Sequence, residues 1–204
     1  MMRPAWAVVP CKTLARGKSR LRPVFDDDAR ASFARGLLEH VLRVLSQSEL
    51  DGVLVATDGD DVAAIATAYG AHVRRDRGEG SLAAVVDQAL EDVEARGARA
   101  ALVLMADLPR IEPTDVVEVL RALEGRDVVL SCDHRGQHTN ALAVAPPTAI
   151  RTCFGRKDSF AAHRAAARAS GLALAIVDNE RVAFDVDAPS DHARLTGRPF
   201  ASGT

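Results

Sequence analysis

Apolar positions along this chain fall into two alternating rhythms. Residues 5–10 and 53–56 are short apolar runs that stop at polar, glycine-containing loops, as strands buried on both faces do. Between them Phe33, Leu37, Leu38, Val41, Leu42 and Leu45 recur at helical spacing, behind an acidic triplet, Asp26-Asp27-Asp28, suited to a helix start. The rhythm then repeats. Val62, Ile65, Ala66 and Tyr69 share a helical face that ends at Gly70. Leu82, Val85, Val86, Ala89, Leu90 and Val93 share another that ends at Gly97, and each glycine stands where a helix C-terminus favours one.

A strand over 101–106, a helix opened by Pro113 and a strand over 128–132 follow. The last third is less regular and predicts strands over 141–145, 172–177 and 182–187, a helix over 159–171 and a short helix after Pro189. The tail, 201–204, is expected to fray. Strands alternating with helices predict a Rossmann-like three-layer α/β sandwich around a mostly parallel sheet, in one domain spanning 1–204.

Composition narrows the chemistry. With 204 residues, 48% hydrophobic and a net charge of -2, the chain has the profile of an ordinary folded domain. Acids and bases nearly balance and no basic block is interleaved with aromatics, so a nucleic-acid partner is not expected. No apolar run reaches the roughly 18 residues of a membrane span, and the apolar opening is cut by Pro10, too short for a signal peptide. Cys11, Cys132 and Cys153 are odd in number and widely spaced, which predicts reduced thiols in a cytoplasmic protein. Three of the 26 basic residues are lysines, Lys12, Lys18 and Lys157.

Ligands of open α/β sheets bind beyond the carboxyl ends of the strands, so the loops after the first, fourth and last strands are the candidates. The first carries Lys12, Arg16, Lys18 and Arg20 within nine residues. Its Gly17-Lys18-Ser19 imitates a Walker A ending, but Lys12 stands where that motif needs glycine. The cluster still suits a polyphosphate, with a solvated basic loop as the structural alternative. The second loop runs a strand into Asp107, a candidate ligand or a turn residue. The third places Asp185 and Asp187 two apart, on one side of a predicted strand. Two adjacent carboxylates repel unless a cation sits between them, and oxygen-only ligands suit Mg2+.

A second anion site is expected where the N-terminus of the helix opened by Ser159, with Gly155 nearby, faces Thr139 or Asn140. Each of these also has a structural reading: Thr139 and Asn140 in a turn, Ser159 as a helix cap, His163 as a helix-face histidine.

Together, Pro10-x-Lys12 with Lys18-Ser19-Arg20-Leu21, Asp107-Leu108-Pro109, Thr139-Asn140-Ala141-Leu142, Phe154-Gly155 with Ser159-Phe160-x-x-His163, and Asp185-x-Asp187 resemble the 2-phospho-L-lactate/phosphoenolpyruvate guanylyltransferase family of deazaflavin coenzyme F-420 biosynthesis. The resemblance runs over about residues 6–191 in the family's order. It implies a nucleotide-diphospho-sugar transferase-like fold and transfer of GMP from GTP to a phosphorylated three-carbon acid. Phosphoenolpyruvate is the default acid, with 3-phospho-D-glycerate and 2-phospho-L-lactate as alternatives.

It further implies a magnesium site at Asp107, Asp185 and Asp187, and acceptor binding at Thr139, Gly155 and Ser159, with Asn140 and His163 in the same motifs. Lys12 and Lys18 are expected at the nucleotide phosphates, assisted by Arg20. His138 replaces a glycine of the family and is expected to touch the acceptor. Competing expectations are a molybdopterin or sugar/polyol-phosphate nucleotidyltransferase, and a GTP-binding module without turnover. A homodimer stays open.

Overall fold

The computed structural model describes residues 4–76 and 80–197; the tail expected to fray lies outside them. Seven strands form one sheet: β1 (Ala5–Pro10), β2 (Gly52–Thr57), β3 (His72–Arg75), β4 (Ala100–Leu104), β5 (Val128–Cys132), β6 (Thr139–Val144) and β7 (Leu174–Ile176). Their order is β3-β2-β1-β4-β6-β5-β7. All pairs are parallel except those of β6, which runs antiparallel to both β4 and β5. The sheet is therefore mostly parallel, with one reversed strand that carries its first residues to the same edge as the ends of β1 and β4.

Helices cover both faces. Along β1, Ala5, Ala7 and Val9 face one apolar core with α1 (Asp27–Ser46), α2 (Asp60–Ala68) and α4 (Pro113–Arg121), while Trp6 and Val8 face another with α3 (Leu82–Ala95) and α5 (Ser159–Ala169). Burial on both faces explains why the strands read as unbroken apolar runs. The predicted starts hold: Asp26 accepts the Ala29 N–H at 2.7 Å to cap α1, a bond of a type contributing about 1 kcal/mol. Gly70, Gly97 and Gly171 adopt positive φ just beyond α2, α3 and α5.

Two local expectations are corrected, and one strand goes beyond them. Residues 182–187 are not a strand: a single turn, α6 (Glu180–Ala183), leads into an irregular stretch before α7 (Pro189–Thr196). Ser159 is the first residue of α5 rather than its cap; Asp158 holds the cap position. The half-exposed edge strand β3 reads His-Val-Arg-Arg and carries too little apolar pattern to announce itself. A third, small cluster of Leu21, Phe184 and Val186 joins the loop after β1 to the irregular stretch before α7.

Candidate active site

Strand order reverses between β1 and β4, so the loops leaving them diverge and open a cleft at the sheet's carboxyl edge. The cleft has a volume of about 290 Å³, and Lys12, Lys18, Asp107 and Asp187 are among its walls. Asp107 leaves β4 on a loop anchored by buried Leu108 and Ile111. Its carbonyl accepts the Val186 N–H at 3.3 Å, tying the two acidic segments together. Oxygens of Asp107, Asp185 and Asp187 all lie within 4.8 Å of one another. The strand expected to align Asp185 and Asp187 is absent, yet both carboxylates reach Asp107.

Lys18 lies among them. Its Nζ donates to Asp107 Oδ2 and, at 2.8 Å, to Asp187 Oδ1. Burial works against the Lys18 ammonium, but Asp107 and then Asp187 outweigh it and hold its pKa above the ordinary value. Asp185 goes the other way: burial, with Asp107 and Asp187 beside it, raises its pKa. Burial also opposes Asp187 ionisation, but Lys18 and then Arg20 keep that carboxyl below its usual range. Cys11, at the cleft wall, is no thiolate, because burial and the neighbouring Asp107 push its thiol up to about 12.

The loop that carries Lys18 is held from behind. Arg30 of α1, 2% exposed, donates to the carbonyls of Gly17 and, at 2.9 Å, Ala15. Asp58, in the turn after β2, accepts the Thr13 N–H at 2.8 Å, and Asp61, in the first turn of α2, the Leu14 N–H at 2.9 Å. A Cβ on Gly59 would come within 2.7 Å of Thr13 Cα, so only glycine lets that turn approach the loop. Lys18 itself has φ 54°, a left-handed conformation unusual for lysine.

The Asp187 segment is held by Asp191, whose Oδ2 accepts the N–H groups of Asp187 (3.0 Å) and Ala188 (2.8 Å). Arg135 donates to both Asp191 oxygens at 2.8 Å. His134 bridges Asp185 (Nδ1, 3.3 Å) and Asp191 (Nε2, 3.4 Å). Sequence reasoning overlooked Arg30, Asp58, Asp61, His134 and Asp191. Only Asp191 carried a signal, an acid in the first turn after Pro189.

The second predicted group also assembles. Ser159 Oγ accepts the Thr139 N–H at 3.0 Å, and His163 Nδ1 lies 2.9 Å from Thr139 Oγ1. The Cys153 N–H donates to His163 Nε2 at 2.7 Å, which places the ring proton on Nδ1, donating to Thr139. The Thr139 and Ser159 O–H groups then have an accepting lone pair occupied and a hydrogen left to donate. His163 is fully buried with both nitrogens used internally, and burial lowers its pKa to about 4. It stands behind Thr139 rather than at a ligand, a correction to its expected contact with substrate.

Asn140 donates to the Val182 and Ala183 carbonyls, bracing the segment that leads to Asp185. Gly155 has φ +85° and packs against Leu82. His138, partly exposed, directs Nδ1 to Asp133 Oδ2 at 3.0 Å. Arg20 and Lys157 are exposed, and Lys157 is not among the cleft residues.

A divalent cation fits the carboxylate trio. Asp107 Oδ1 is buried with no hydrogen-bond partner, a cost that a ligated cation removes. The all-oxygen donor set suits a hard cation.

In fold, the chain is similar to a nucleotide-diphospho-sugar transferase-like protein of Desulfovibrio desulfuricans G20, with a TM-score of 0.77 and 17% identity, covering 95% of this chain and 87% of that one. That likeness defines the class of fold, an α/β sandwich of the nucleotide-diphospho-sugar transferase type, with acidic and basic groups gathered at its switch point. Residues 5–196 match the family described as "Guanylyl transferase CofC like", and the chain belongs to that family. It is 41% identical to the phosphoenolpyruvate guanylyltransferase of Rubrobacter xylanophilus, covering 93% of this chain and 92% of that protein. It is 33% identical to the 3-phospho-D-glycerate guanylyltransferase of Phenylobacterium zucineum, covering 92% and 87% respectively. Among the described residues no helix is long and apolar enough to cross a membrane.

Proposed function

We propose that this chain transfers GMP from GTP to phosphoenolpyruvate, releasing pyrophosphate, in the cytoplasmic formation of a deazaflavin coenzyme of the F-420 type. The observation that carries the reading is the meeting of Asp107, Asp185 and Asp187 with Lys18 at the switch point. Family membership and the relatives' activities support guanine and the three-carbon acid.

The chemistry asks little of a general base, because a phosphomonoester with a second pKa near 6 is already mostly dianionic at neutral pH. One of its oxygens attacks the α-phosphorus in line, and pyrophosphate leaves from the opposite side. The obstacle is the approach of two polyanions. Mg2+ held by Asp107, Asp185 and Asp187 would supply positive charge at the reacting phosphate when bound. Lys12 and Lys18 screen the triphosphate from the loop after β1, with Arg20 beside them. Thr139, its hydroxyl oriented by His163, and Ser159, its hydroxyl oriented by the Thr139 N–H, donate to the acid.

A second acceptor, 3-phospho-D-glycerate, is favoured by His138: with Nδ1 3.0 Å from Asp133 Oδ2, Nε2 is the ring nitrogen that can pair with that acid's hydroxyl. The test is pyrophosphate release from four nucleoside triphosphates against the three acids, with Mg2+. GTP with phosphoenolpyruvate giving the highest kcat/KM is the expected result, and turnover with no acid in the set would refute the proposal. If 3-phospho-D-glycerate wins, His138→Gly is expected to remove its advantage.

A further inference from the structure

Two sets of groups compete for the Lys18 ammonium. As a ligand of GTP it would reach the triphosphate, but in the structure Nζ donates to Asp107 Oδ2 and, at 2.8 Å, to Asp187 Oδ1. These are two of the three carboxylates suited to a metal. An ion ligated by them lies within about 2.6 Å of their oxygens. Ammonium and ion therefore contend for one place, and like charges so close repel strongly. The ammonium is also an incomplete occupant, because Asp107 Oδ1 stays buried with no hydrogen-bond partner.

The loop is built to present this side chain and to let only the side chain move. Lys18 takes φ 54°, a conformation that costs a non-glycine residue local stability and persists where the surroundings impose it. Just before it, buried Arg30 holds the carbonyls of Ala15 and Gly17. Just after it, the Leu21 N–H donates to the Lys18 carbonyl at 2.9 Å. With the backbone fixed on both sides, freedom remains in the flexible four-carbon stem. Lys18, Asp107 and Asp187 line the same cleft as Lys12 and Gly17, so the ammonium can leave the carboxylates without leaving the cleft.

We infer, on the GTP reading proposed above, that Lys18 is a displaceable stand-in for the metal. Its ammonium holds the carboxylates in the free protein and passes to the nucleotide phosphates as metal and nucleotide bind together. With metal alone, Lys18 is driven from its acceptors and finds no others. With nucleotide alone, Lys18 can reach the phosphates only by leaving three carboxylates facing one another. Each ligand removes the cost of the other, so Lys18 couples the two sites, and the coupling acts equally on both affinities.

The test compares the full chain with Lys18→Met by calorimetry, with no acceptor acid present. GTP affinity is measured in EDTA and again in saturating Mn2+, and the ratio of the two is the coupling. Chelation of Mn2+ by free GTP is common to both proteins and cancels. The coupling should be about 10-fold larger in the unmodified protein than in Lys18→Met. A lysine that stays on the carboxylates throughout gives equal coupling in both, and a lysine that merely orients the acids makes Mn2+ alone bind the variant more weakly; either result overturns the inference. Should Lys18→Met fail to fold, the unmodified protein decides. It has three lysines, so in NMR spectra of nitrogen-labelled lysine the Lys18 signal is identified by elimination with Lys12→Arg and Lys157→Arg. Its couplings across hydrogen bonds to aspartate carboxyl carbons should give way to couplings to nucleotide phosphorus when Mg2+ and GTP are added together, and their persistence overturns the inference. Failure of GTP to bind under any of these conditions refutes the proposed function instead. Mn2+ alone then decides: it must bind Lys18→Met about 10-fold more tightly than the unmodified protein, and equal or weaker binding overturns the inference.

Discussion

Two polar clusters lie at the same edge of the sheet and are built on opposite principles. Around Thr139, Ser159 and His163 every named polar atom has a neutral partner, the residues are buried, and the histidine proton has one place to be. Around Asp107, Asp185 and Asp187 three acids crowd together, one oxygen has no partner, and a lysine in a left-handed conformation neutralises part of the charge. A satisfied network specifies a geometry, whereas an unsatisfied one stores repulsion that a ligand can relieve. The difference assigns charge chemistry to the acidic cluster and alignment to the hydroxyl cluster.

The comparison can be broken most directly at Asp187. Asp187→Ala should lower kcat/KM by about 3 kcal/mol or more, as loss of an electrostatic catalytic group does, with the thermal midpoint nearly unchanged. A fully active variant would remove the acid from the machinery.

At the hydroxyl cluster the expected effect is on stability. His163 is held at about 4 in the folded chain, against about 6.5 when exposed. The unfolded chain therefore binds the extra proton in that interval. Stability is full above pH 6.5 and is lost as pH falls toward 4, by about 3 kcal/mol for this group. Urea midpoints of the unmodified protein should fall across the window, and His163→Gln should flatten the fall. An equally steep decline in the variant would assign it to other groups.

Smaller effects sharpen the roles of the lysines. Removing the ammonium from three carboxylates should tighten Mn2+ binding to Lys18→Met in the absence of nucleotide, about 10-fold, a change of about 1.4 kcal/mol. Titration calorimetry reads it directly; weaker binding would make Lys18 an orienting group for the carboxylates rather than a counter-charge. Lys12→Ala should raise KM for GTP several-fold, while Arg168→Ala on exposed α5 surface leaves it unchanged. Equal effects would return the lysines to composition alone.

Much of this molecule is legible in its residue order, for a physical reason. Helix and strand periods, the helix ends at Asp26 and Gly97, and the ends of β1 and β4 shortly before Lys12 and Asp107 depend on neighbours in sequence, so local pattern carries them. The motif order that marks the family is likewise a property of the chain. Antiparallel insertion of β6 between β4 and β5 is a property of the assembled sheet, and it brings Thr139 beside the loop of Asp107. The irregular path of Asp185 and Asp187 depends on Asp191, Arg135 and His134, and the fit of the lysine loop on Arg30, Asp58 and Asp61. Those contacts join residues between 13 and 57 positions apart except at Asp191 itself, whose bonds to Asp187 and Ala188 are local. A carboxylate or guanidinium reads the same in sequence whether it faces water or is buried against a loop carbonyl, and only packing decides which.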